Sequence, residues 1–237
     1  MICDAIIPSQ PALWLEDKSF LLWEIGQRCV IEHWMDSLFR SNATLRLWLE
    51  EPDELLFSFV SETFPLNRRV LVQTGAPSSR PEACTFLDSK GGIIIRRGPQ
   101  LTPYLPRQAP ARTWFAMVRN WLLELQTQGS QVPELESQIS PGVFVGHHCS
   151  ISKGTTFLAP CWVGSGSTIV GATIGPYAAV GENCVITRGA RIAETYLLRD
   201  TYVAPGMQMT GVAAGPTGII AHATGSRIIP SIAGETD

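Results

Sequence analysis

The 237-residue sequence has no stretch of about 18 consecutive apolar side chains, so no segment reads as a membrane-crossing helix. Basic stripes are missing as well. The 18 Lys and Arg are scattered among 21 Asp and Glu, and a net charge of -3 leaves neither a nucleic-acid footprint nor a polybasic membrane patch. Of the six cysteines, at 3, 29, 84, 149, 161 and 184, none forms a C-x-x-C pair or stands at zinc-type spacing to histidine. They read as reduced, mostly buried thiols. Asp4 stands where a secretory leader needs a basic stretch followed by an apolar one. These absences together lead to the expectation of a cytoplasmic protein with neither nucleic acid nor membrane as partner. What is present, 45% apolar residues, suffices for one large core or two modest ones.

Charge also becomes scarce along the chain. Between Ile139 and Ile220 lie 13 of the 21 glycines but only seven charged residues: Lys153, Glu182, Arg188, Arg191, Glu194, Arg199 and Asp200. Such a shift suggests a repetitive backbone. Apolar residues recur every six positions at Ile139, Val145, Ile151, Phe157, Val163 and Ile169. After a five-residue step the series continues at Ile174, Val180, Ile186, Ile192 and Leu198, and a second short step leads to Val203 and Met209. Four residues after each anchor comes a second inward candidate: Val143, Cys149, Thr155, Cys161, Ser167, Thr173, Ala178, Cys184 and Ala190, then Tyr196, Tyr202 and Met207. Each hexad then turns one aliphatic side chain toward the axis of a prism and places a smaller one near a corner. Twelve hexads make roughly four coils, enough for neighbours to bury one another. The cysteines at 149, 161 and 184 fall in the small slot and read as filling.

The first 128 residues alternate strand and helix patterns, an α/β grammar. Strands are expected at 3–7, 45–49, 68–74, 83–87 and 91–98, with a proline-rich stretch over 99–110. One helix carries Val30, Ile31, Trp34, Met35, Leu38 and Phe39 on one face; "PDELLFSFVSETF" is a second. A third sets Trp114, Met117, Val118, Trp121, Leu122 and Leu125 on a stripe and stops at Gly129. The expected organisation is an α/β domain over 1–128, a connection over 129–138, repeats over 139–220 and a tail over 221–237.

Four stretches carry a family resemblance: "DAII" (4–7), "KSFLLWEIGQRCVIEHWMDSL" (18–38), "ARTWFAMVRNWLLE" (111–124) and the coils ending in "IGPYAAVGENCVITRGARIAETYLLRDTYVAPG". In that order they resemble the sugar-nucleotide pyrophosphorylases, nucleotidyltransferases that join a sugar 1-phosphate to an NTP and carry hexapeptide repeats. The resemblance implies a reduced nucleotidyltransferase-like domain with a Rossmann-like sheet, followed by a left-handed parallel β-helix. It also implies Lys18 as a substrate contact, a nucleotide or sugar phosphate as ligand, and magnesium on a carboxylate after a middle strand, where Asp88 is the candidate. The family's first strand runs into G-x-G-T-R, whose glycines let backbone N–H groups approach phosphates. Here the corresponding loop is shorter, and Pro8, Gln10, Pro11 and Trp14 stand in it without a glycine. Two N–H donors are lost to proline, so phosphoryl-transfer chemistry is expected to be impaired.

Two alternatives stand beside that reading. Hexapeptide β-helices also resemble trimeric acyltransferases, in which acyl-CoA lies between subunits and a histidine acts as general base. His147 and His148, at outward hexad positions, are the candidates, and a neutral imidazole suits proton abstraction. The other alternative is a non-catalytic scaffold or regulatory subunit. Tyr177, Tyr196, Trp162 and Tyr202, where they face outward, would form an apolar patch suited to self-association. A homotrimer is the first expectation and a dimer the second. His33 is expected to serve packing.

Overall fold

The computed structural model describes residues 2–7, 19–41, 44–64, 70–75, 83–87, 93–97, 109–128, 136–224 and 227–228. The chain divides into two compact units, Met1–Met117 and Val118–Asp237. In the first, β1 (Ile2–Ile7) is followed by a single 3-10 turn, Phe20–Leu22, and the hairpin of β2 (Glu24–Ile25) and β3 (Arg28–Cys29). Then come α1 (Val30–Ser41), β4 (Thr44–Leu49), α2 (Glu54–Thr63), β5 (Val70–Thr74), β6 (Ala83–Leu87) and β7 (Ile93–Arg97). The helix α3 (Ala109–Gln128) runs from this unit into the next.

Local chemistry accounts for these elements. The Glu32 carboxylate accepts a 2.8 Å hydrogen bond from the Cys29 N–H just before α1, half of a capping box. Val30, Ile31, Trp34 and Met35 are buried, on the face expected. Asp53 caps α2, its Oδ1 accepting from the Leu56 N–H at 3.0 Å. In β4, Leu45, Leu47, Trp48 and Leu49 are all buried, as a strand covered on both faces requires. The Trp114 Nε1–H donates to the Glu24 carbonyl at 2.9 Å, and its ring meets Trp23 edge-on at 5.6 Å.

The sheet order is β5-β4-β1-β6-β7. β4 and β6 flank β1 in parallel, β5 continues in parallel beyond β4, and β7 is antiparallel to β6. The chain thus steps outward from β1 through β4 to β5, then crosses to the other side of β1. That is the strand order of a doubly wound sheet, with its switch point between β1 and β6.

The second unit is a parallel β-solenoid of about four coils. One face pairs Val143–Gly146, Cys161–Val163, Ala178–Val180, Tyr196–Leu197 and Val212–Gly215. A second stacks Ser150–Ile151, Thr168–Ile169, Val185–Ile186 and Tyr202–Val203. The third stacks Thr156–Phe157, Thr173–Ile174, Arg191–Ala193 and Gln208–Thr210. Cys161 pairs with Val143 and with Ala178, so successive coils advance by 18 and then 17 residues. Val163, Ile169, Ile174, Val180, Ile186, Ile192, Val203 and Met209 form the interior as the periodicity predicts.

The register corrects three details. Leu197, not Leu198, pairs with Val180 and joins the interior, so the second short step falls between Ile192 and Leu197. A short step deletes a residue ahead of the small slot, which therefore falls on Ala172 and Thr195 rather than Thr173 and Tyr196, and the anchor at Leu197 moves the next slot from Tyr202 to Thr201. Thr195 and Thr201 are buried, whereas Tyr202 is 63% exposed. Ile139 is no anchor; it lies in Glu136–Ser140, antiparallel to Val143–Gly146, and is 53% exposed. Residues 136–138, read as connection, are thus part of a strand. At the other end Gly218–Ala221 and Arg227–Ile228 extend the first face in antiparallel sense, past the expected end of the repeats.

The small slots also carry a hydrogen-bond pattern. Cys149 Sγ donates to the Gly164 carbonyl, Ser167 Oγ to Gly181 and Cys184 Sγ to Leu198, at 3.2, 3.0 and 3.0 Å. Each side chain reaches the carbonyl that begins the corner of the next coil. A small donor is favoured there because it satisfies a backbone group that the tight bend leaves without a strand partner. Burial pushes the Cys161 thiol up to about 12 and raises Cys149 as well. These are packing thiols.

Candidate functional site

Two places in the molecule answer to the chemistry expected from the sequence. The first is the carboxyl end of the α/β sheet. Cys3 and Asp4 pair with Ala83 and Cys84, so β1 and β6 run side by side and end together near Ile7 and Leu87. Pro8 and Asp88 are the residues that follow directly in sequence. Ligands of open α/β sheets bind beyond such strand ends, at the switch point. Lys18 and Asp88 themselves lie outside the described residues, as do Pro8, Gln10, Pro11 and Trp14.

The second place is the solenoid corner at His147 and His148. Both side chains are exposed, with ring centroids 6.2 Å apart. His148 has a φ of 58°, and Gly166, Asn183 and Asp200 repeat the left-handed turn in the coils that follow. The Gly166 N–H donates to the His147 carbonyl, Asn183 to Ser165, and Asp200 to Glu182, which stacks the corner coil upon coil. Beside the histidines the adjoining coil therefore presents Ser165 and Gly166. Glu182 stands one coil further, roughly 9.5 Å along the stack, and its carboxylate pairs with Arg199 at 3.3 Å. The imidazoles thus have no orienting carboxylate from the neighbouring coil. Among the described residues no three His, Cys, Asp or Glu side chains converge as metal ligands.

The aromatics expected to form an association patch are mostly covered by the chain itself. Phe144, Trp162, Ala179, Tyr196 and Ala213 form an outward column on the first solenoid face, and all are buried. Trp121 of α3 meets Trp162 edge-on at 5.3 Å, and the Arg119 guanidinium lies 4.3 Å from the centre of the Tyr177 ring. Burial raises the Tyr196 phenol, with Arg119 opposing the shift. Only Tyr202 of the four remains largely exposed. Periodicity could place these rings outward but had no means of showing that a helix covers them. His33 is half-buried, with Nε2 3.3 Å from the Ile25 carbonyl.

One feature of the α/β unit has no counterpart in the sequence reading. A groove of about 300 Å³ lies between α2 and the segment running from the 3-10 turn into α1. Leu22, Cys29, Leu55 and Phe59 supply apolar lining, and Glu24 and Glu32 stand on one wall. Its signal was present in α2, where Leu55 and Phe59 form an i, i+4 pair next to the buried pair Leu56 and Val60. A helix apolar on two faces has more to cover than one core.

The chain matches no protein-family model and no curated protein.

Proposed function

We propose that the α/β unit binds a nucleotide or sugar phosphate beyond the carboxyl ends of β1 and β6, as a reduced relative of the sugar-nucleotide pyrophosphorylases, without completing nucleotidyl transfer. The observation that supports this reading is the strand order, whose reversal beside β1 is the switch point at which doubly wound sheets bind their ligands. The segments that leave this end of the sheet carry Lys18 and Asp88. In this reading the Lys18 ammonium would meet a phosphate, and Asp88 would hold a magnesium ion that offsets phosphate charge. The loop composition argues for binding without turnover. With prolines at 8 and 11 and no glycine, it offers fewer backbone donors to charge that grows during transfer.

Isothermal titration with UTP, GTP and sugar 1-phosphates, with and without magnesium, tests it. The expected result is heat from at least one ligand, no pyrophosphate release, and a loss of about tenfold in affinity in Lys18→Ala. Absence of heat from every ligand sinks the proposal, and pyrophosphate release would sink its claim of lost turnover.

A further inference from the structure

We infer that the groove beside α2 is a docking site for a basic, apolar peptide segment of another protein. Leu55 is 59% exposed, although it lies on a helix whose Leu56 and Val60 are buried in the core. Leu55 and Phe59 stand one turn apart on the groove side, spacing that suits a segment offering apolar side chains at i and i+4. Cys29 closes the base, 6% exposed, with burial pushing its thiol up to about 12. A neutral thiol at that depth adds to the apolar floor.

Charge decides the partner's chemistry. Glu24 and Glu32 line one side of the groove, and Glu62 extends the Leu55 and Phe59 stripe by a further turn. Between residues 47 and 67 the chain carries Glu50, Glu51, Asp53, Glu54 and Glu62 and no Lys or Arg. Arg28, the base nearest in sequence to the lining, turns back onto α1, 4.0 Å from the Glu32 carboxylate and bonded to the Glu32 carbonyl at 3.2 Å. Among the described residues the charged lining is acidic, with Glu32 shared with Arg28, and an apolar floor with such a rim favours a segment with apolar residues flanked by Lys or Arg over an acidic one. The small contact area places such binding in the micromolar class, held by two side chains and steered by charge.

Fluorescence anisotropy tests this with three short labelled peptides on the full chain. One carries Leu at i and i+4 flanked by Lys, one replaces each Lys by Glu, and one keeps Lys but replaces each Leu by Ser. Only the first should bind, at roughly micromolar to tens of micromolar, and more weakly as salt rises. Leu55→Ser, a change at a solvent-facing position, should weaken it about tenfold, and Glu62→Lys several-fold with a flatter salt dependence. Circular dichroism of both variants checks that the fold is retained. Equal binding of the Glu or Ser peptide, or binding unmoved by Leu55→Ser, overturns the inference. It is equally overturned if Leu55→Ser dissociates an oligomer of the protein alone in sedimentation velocity, because the occupant is then a second copy of this chain.

Discussion

The two units of this protein are stabilised by cores of different kinds. In the solenoid, the neighbours of an interior residue lie 17 or 18 positions away in sequence, so Val163 stacks between Val145 and Val180 by chain arithmetic alone. In the α/β unit, Ile2 pairs with Thr44 and Cys3 with Ala83, contacts that exist only once two crossovers and their helices are in place. The solenoid is a one-dimensional stack whose energy is close to a sum over neighbouring coils. The sheet unit is a single cooperative arrangement in which the central strand waits on partners from both directions. A local sequence error is therefore local in one unit and global in the other. The helix α3 belongs to both, its Trp114 packed on Trp23 and its Trp121 on Trp162.

That contrast can be broken at its strongest point first. Trp162→Ala removes a fully buried ring lying between solenoid and helix, not in the repeat interior, and should cost about 3–5 kcal/mol. Urea unfolding followed by circular dichroism should show the solenoid transition shifted with the α/β transition in place. A single transition moving as one would mean that α3 couples the units so tightly that the distinction fails. Gly164→Ala probes the repeat backbone itself. A Cβ there would meet the Glu182 nitrogen and Gly181 carbonyl carbon at 2.8 Å, and the expected cost is about 1–3 kcal/mol. A neutral outcome would show that coils can slide apart, contrary to a close-packed stack.

A third test sharpens the comparison through pH. Burial raises the thiols of Cys29 in one unit and Cys161 in the other from 9.0 to about 12. In the unfolded chain each ionises near 9 while the folded form keeps its proton, so the unfolded state binds fewer protons and stability falls as pH rises. The loss begins above 9 and ends near 12, at about 1.4 kcal/mol per pH unit per thiol. Cys161→Ala should flatten the slope of the solenoid transition alone. An unchanged slope would contradict the burial of that thiol.

The interior of the solenoid was legible because a coil imposes its length on the sequence, and anchors such as Ile169, Ile186 and Ile192 recur with it. Its error at Leu198 has a simple cause. A five-residue step can be taken at more than one point, and the choice between Leu197 and Leu198 is made by pairing with Val180, which periodicity does not contain. The strands and helices of the α/β unit were legible from local pattern and caps such as Asp53. The place of β6 on the far side of β1 was not, because strand order is set by which crossover buries the most surface. The histidine corner was found from sequence; the isolation of its imidazoles from Glu182 came from the coil stack.

By itself, the sequence determined a stack of hexapeptide coils with small residues at their corners, and an α/β grammar ahead of it, because both follow from interactions within a turn or one coil. Only the tertiary structure decided that a helix packs on Trp162 and Tyr177, that β1 lies at a switch point, and that Leu55 and Phe59 open into an acid-rimmed groove. Burial of a face depends on what lies against it, and that partner is fixed by the folded chain rather than by the pattern of the face.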